Sequence, residues 1–218
     1  CLEHSRQVVR PFLDQWRAKV ALVGYSLPGR EDPIRALLYP SVRTPAAKLD
    51  RERGRKLLAE ALGTFPYEGC PLKRTFELAA ERPVADYFAQ VPGLDASAAY
   101  DPPGFWDLPI PVMRTLEVHD EDVVFYDAEG YGCVRDCLKA RGVRHVLLCG
   151  YNTNLCVKAT TAGYDNLEKE FNVFLVGDAT MATWPAGARP DRATNAALCE
   201  ASVHHLTTQV AWVRPLKG

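Results

Sequence analysis

The sequence predicts an α/β fold, a doubly wound parallel sheet in three α/β/α layers, and three observations carry that expectation. From residue 116 onward, short apolar runs alternate with amphipathic stretches of helix length. That is the spacing that crossovers between parallel strands require. The runs VRHVLLCG (143–150) and NVFLVG (172–177) are nearly continuously apolar, as strands covered on both faces are. Finally, 218 residues at 47% hydrophobic and 24% charged suffice for one ordinary core. One domain over residues 1–218 is therefore expected.

The elements follow in order. Ser5 to Lys19 places Val8, Val9, Phe12, Leu13 and Trp16 on one helical face. Pro11 lies inside that pattern and should break it, kink it or move its start. Val20 to Leu27 reads as a buried strand closed by Pro28-Gly29. A Pro-rich insertion at about 39–109 comes next, because 12 of the 16 prolines fall between Pro28 and Pro111. Ala46 to Leu62 is its one expected helix, and Phe105 and Trp106 are its expected anchors. Asp122 to Tyr126 is a strand, Gly132 to Arg141 a helix ended by Gly142, and Val143 to Gly150 a strand. Leu155 to Tyr164 is a helix, Asn172 to Gly177 a strand, Arg192 to Thr208 a long helix, and Gln209 to Val213 an edge strand. In such sheets ligands bind beyond the carboxyl ends of the strands. The turns after Leu27, Tyr126, Gly150 and Gly177 are thus the expected site.

Composition excludes several functions. The 26 Lys+Arg balance 27 Asp+Glu, so no bulk charge draws the chain to nucleic acid or to anionic membrane. No stretch reaches the roughly 20 apolar residues of a bilayer span. Seven cysteines are an odd and sparse set, unlike a secreted disulfide scaffold. Reduced thiols and a cytoplasmic setting are expected.

Gly150-Tyr151-Asn152-Thr153-Asn154-Leu155-Cys156-Val157 follows a strand and opens a helix. Thr153 or Asn154 is the expected N-cap, which puts Cys156 in the first turn. Free backbone N–H groups and the helix dipole there favour a thiolate and can receive an oxyanion. By position alone Cys156 is either a nucleophile or a small residue packing helix on sheet.

This stretch, with the later Asp178-Ala179-Thr180 and the lead-in LKARGVRHVLLCG, resembles the isochorismatase-like cysteine hydrolases. The resemblance covers roughly the second half of the chain. It implies that Cys156 attacks a carbonyl carbon to form an acyl-enzyme. It further implies an oxyanion hole from the backbone N–H groups of Asn152 and Cys156, and a cis peptide between Tyr151 and Asn152. The family also uses an Asp, which protonates the leaving amine, and a Lys. The Asp ends a first strand that the resemblance places ahead of Cys1. The Lys follows the strand matching Asp122 to Tyr126, yet no lysine lies between Lys73 and Lys139. The chain therefore resembles a divergent branch without it.

Tyr126, Glu129 and Thr153 are the expected pocket residues. Asp178 reads as a carboxylate fixing the following turn. His119, before its strand, belongs to the other end of the sheet. His204-His205 read as surface or packing residues, and Cys133 and Cys137 lack the second ligand pair a zinc site needs. Ser26 to Asp32 lacks the Asp-x-His spacing of metal-binding relatives, so no metal and no cofactor is expected. Isochorismatases proper lack the cysteine, so the resemblance favours an amide-like C–N bond of a small molecule. The second expectation is a repurposed member that binds a ligand or acts as an oligomeric scaffold. Partners are expected to be a small-molecule substrate and further copies of the chain.

Overall fold

A computed structural model describes residues 2–63, 107–153, 155–182, 200–201 and 211–213. The first helical face forms without a break at Pro11. It runs as α1 (Leu2–His4), a π-helical turn (Ser5–Val9), α2 (Arg10–Trp16) and a 3-10 turn (Arg17–Lys19). Pro11 lacks an N–H for the preceding turn, and the wide π-helical turn ahead of it makes room for its ring, so the segment continues. Val9, Phe12 and Leu13 are buried on one side of this segment, each contributing about 1.5–3 kcal/mol.

The next strand is shorter than expected, β1 (Gly24–Leu27), and Gly29 at φ 76 turns the chain out of it. After α3 (Arg35–Leu38), the helix expected over 46–62 divides. Ala46–Lys48 is a 3-10 turn and α4 spans Arg51–Gly63. Leu49 is extended, and the Asp50 carboxylate accepts the Arg53 N–H at 3.1 Å and so starts α4 afresh. Phe105 and Trp106 lie outside the described residues.

The later half follows the expected alternation. It runs β2 (Val123–Tyr126), α5 (Tyr131–Ala140), β3 (His145–Tyr151), α6 (Cys156–Ala159), α7 (Tyr164–Leu167), β4 (Asn172–Met181) and β5 (Ala211–Val213). Gly142, at φ 67, ends α5. The expected helix over 155–164 is two single turns instead. The Thr160 hydroxyl donates to the Cys156 carbonyl at 2.8 Å, and Gly163 packs so close to the Lys158 carbonyl that a Cβ would meet it at 2.6 Å. Of the long helix expected at 192–208, only Glu200 and Ala201 are described, and both are helical.

All strand pairs are parallel, in the order β1-β2 and β3-β4-β5 among the described residues. Leu27 pairs with Tyr126, and Tyr151 with Met181, past a register shift between Leu148 and Gly150. Two apolar clusters join the two sheets. One gathers Phe125, Val134, Leu138, Val157, Leu167 and Leu175. The other gathers Phe12, Tyr25, Val124, Tyr126 and Val176 on the side of α2. Helices thus cover both faces of parallel strands, the three-layer α/β arrangement. No described helix is long and apolar enough to cross a membrane.

Candidate active site

The carboxyl ends of β3 and β4 build the turn that holds Cys156. β4 runs to Met181, beyond the expected end at Gly177, so Asp178 is strand and its carboxylate is exposed; it fixes no turn. The two strand ends are joined by hydroxyls. Thr180 donates to the Gly150 carbonyl at 2.8 Å, and Thr153 meets the Thr180 hydroxyl at 2.7 Å. Because the Thr180 proton is committed to a carbonyl, Thr153 is the donor between them.

This corrects the expected cap. The Thr153 side chain is buried between the strand ends, and Leu155 occupies the N-cap position with no side-chain hydrogen bond. Thr153 therefore holds the turn and does not line an open pocket. Asn154 lies outside the described residues. The turn closes on the Asn152 carbonyl, which accepts the N–H groups of Leu155 and Val157, both at 3.0 Å. The Tyr151–Asn152 peptide is cis. Cys156 is the first residue of α6, half-buried and unoxidised. Among the described residues, neither the Asn152 nor the Cys156 N–H donates a hydrogen bond.

The end of β2 comes to the same place through a residue that sequence reasoning missed. The Asp127 carboxylate accepts the Ser26 hydroxyl of β1 and the Thr161 N–H, each at 3.2 Å. Its carbonyl accepts the Thr161 hydroxyl at 2.7 Å. Thr161 lies just past α6, so Asp127 ties the ends of β1 and β2 to the Cys156 turn. Its place, one residue beyond a strand at the carboxyl end, is the signal that could have found it.

Tyr126 is 1% exposed, its ring faced by the Arg35 guanidinium at 4.7 Å, and its hydroxyl has no hydrogen-bond partner among the described residues. Burial pushes its phenol well above the ordinary value. Arg35 itself is tied to Asp32 and to the carbonyls of Pro28, Arg30 and Ile110. The Glu129 side chain is 5% exposed and pairs with Arg43 at 3.4 Å. Tyr126 and Glu129 thus flank the end of β2. His119 precedes β2, where its N–H donates to Asp122 at 2.8 Å, at the amino end of the strands.

A second missed residue comes from the far end of the chain. His4 Nδ1 lies 2.8 Å from the Tyr151 hydroxyl, and Nε2 lies 2.9 Å from the Asp178 carbonyl. No local pattern marks it, because its contacts are 147 and 174 residues away.

Residues 112–209 match the family model described as the Isochorismatase domain. No curated protein matches the chain. Among solved structures, the chain is similar to an isochorismatase-like hydrolase from Alkaliphilus metalliredigens. The identity is 18%, over 52% of this chain and 62% of that one, with a TM-score of 0.36. The match thus spans less than two thirds of that structure.

Proposed function

We propose that this chain, whose residues 112–209 match the Isochorismatase domain model, is a hydrolase that cleaves a C–N amide-like bond of a small molecule through an acyl group on Cys156. The observation that carries this reading is the placement of a half-buried thiol as the first residue after the β3 turn, at the carboxyl ends of parallel strands.

The Cys156 sulfur bonds to the carbonyl carbon, and the carbonyl electron pair moves onto oxygen. The N–H groups of Asn152 and Cys156 receive that oxyanion. Collapse breaks the C–N bond, and the thiol proton leaves with the amine. Water then cleaves the thioester to a carboxylic acid and restores the thiol.

One observation favours a second reading, a repurposed fold that binds a ligand without turnover. β2 and its following turn carry no lysine, and Arg35 is engaged with Asp32 and three carbonyls. Incubation with a panel of small primary amides separates the two. A hydrolase releases ammonia, traps an acyl adduct on the Cys156 peptide in mass spectra, and loses both in Cys156→Ala. If no amide yields an adduct, and Cys156 alkylates no faster than the half-buried Cys133, the hydrolase reading fails.

A further inference from the structure

We infer that His4 is a positioning residue for the Cys156 turn, clamping the ends of β3 and β4 together from the amino-terminal helix. The inference rests on the reading of Cys156 as the reacting thiol.

The Asp178 carbonyl can only accept, so His4 Nε2 carries the ring proton. In the neutral ring Nδ1 is then an acceptor, and the Tyr151 hydroxyl is its donor. The rings also meet edge to face, with centroids 5.7 Å apart at 71°. The chain of bonds continues inward. The Ser5 hydroxyl bonds the Tyr151 phenol, and Ser5 meets the Thr115 hydroxyl at 2.6 Å. Ser5 is fully buried, so the inner end of this network is sheltered from water, while the His4–Asp178 bond lies at the surface.

The ends of this chain of bonds define its task. His4 holds a side chain at the last residue of β3 and a backbone carbonyl of β4, one strand on each side. Tyr151 is followed directly by Asn152, whose carbonyl takes the N–H groups of Leu155 and Val157 on either side of Cys156. A displacement of Tyr151 therefore moves the acceptor around which the thiol's turn is wound. Thr153 and Thr180 hold the same two strand ends from within, while His4 holds them from the helix side. A 1 Å error in such a turn is large on the scale of catalytic geometry.

Three substitutions divide the two bonds. His4→Phe keeps the ring and loses both, His4→Asn keeps a polar atom near Nδ1, and His4→Gln keeps a donor near Nε2. Each variant is treated with iodoacetamide, and the alkylation rate of Cys156 is read against that of Cys133 in the same sample by peptide mass spectrometry. In His4→Phe the ratio should fall about threefold or more, because the loss of even one neutral hydrogen bond is of that size. His4→Asn and His4→Gln should fall between Phe and the wild type. An unchanged ratio in His4→Phe overturns the inference, as do Asn and Gln variants that both behave like Phe. If His4→Phe does not fold, the other two are compared directly with the wild type, and equality of both with it overturns the inference. A slow wild-type Cys156 defeats the hydrolase reading alone, because His4 is judged on the ratio of variant to wild type.

Discussion

Thr153 and Thr180 face each other with their hydroxyls 2.7 Å apart, 1% and 3% exposed, across the ends of two neighbouring parallel strands. The pair turns the last residues of β3 and β4 into one rigid rim, and the Cys156 turn hangs from it. Since Thr180 also donates to the Gly150 carbonyl, the two threonines are unequal. Thr180→Val strips both the Gly150 carbonyl and Thr153 of their shared partner, while Thr153→Val removes one bond only. Urea unfolding should show a loss of about 1 kcal/mol for Thr153→Val and a larger loss, up to about 3 kcal/mol, for Thr180→Val. Equal losses would contradict the assigned directions.

Asp122 is 1% exposed and is paired with Arg17, whose side chain is 11% exposed. It also accepts the His119 N–H at 2.8 Å. This buried pair fastens the amino-terminal helix to the start of β2, remote from the proposed site. Arg17→Met leaves a buried carboxylate uncompensated and should cost about 3–5 kcal/mol. Adding Asp122→Leu should recover part of that loss. A double variant less stable than Arg17→Met alone would refute this account of the pair.

Cys133 and Cys149 are both partly exposed but should differ in reactivity. Cys149 is only partly buried as a residue, packed against the α2-side cluster, but desolvation of its sulfur pushes the thiol up to about 11, so its thiolate is scarce near pH 8.5. Iodoacetamide at that pH should label Cys133 well before Cys149. Labelling of Cys149 first, read by peptide mapping, would show that its side chain is not enclosed.

His4 should make stability depend on pH. Burial holds its imidazole below the ordinary 6.5, against the opposing hydrogen bond to the Asp178 carbonyl. The folded form therefore favours the neutral ring. Its contribution is complete above pH 6.5 and is lost as pH falls through the folded value, because the unfolded chain then binds more protons. Unfolding free energies measured from pH 7.5 to 5 should decline less steeply in His4→Phe than in the wild type. Parallel curves would show that the ring titrates alike in both states.

The parallel α/β character, the succession of β2 to β5 along the chain and the place of Cys156 at a helix start are legible in the residues, while the cap of that helix is not. Continuous apolar runs, Gly142 and the Gly150–Val157 motif are local signals, and local backbone preference decides them. Element lengths were less legible. Pro11 suggested a break that a π turn absorbs, and Asp50 starts a helix that periodicity extended back to Ala46. Apolar periodicity alone joins residues 155–164 into one helix, although the Thr160 hydroxyl and the tight packing at Gly163 divide them.

The sequence by itself determined which thiol stands at the start of a helix beyond a parallel strand, because strand, turn and helix are all encoded within about a dozen neighbouring residues. Only the tertiary structure decided what holds that thiol in place. Thr153 is drawn inward to Thr180 and away from capping, Asp127 joins the end of β2 to Thr161, and His4 reaches Tyr151 and Asp178 across most of the chain. These are hydrogen bonds between groups remote in sequence. Their partners come within reach only when the apolar clusters have brought the strands and the amino-terminal helix together.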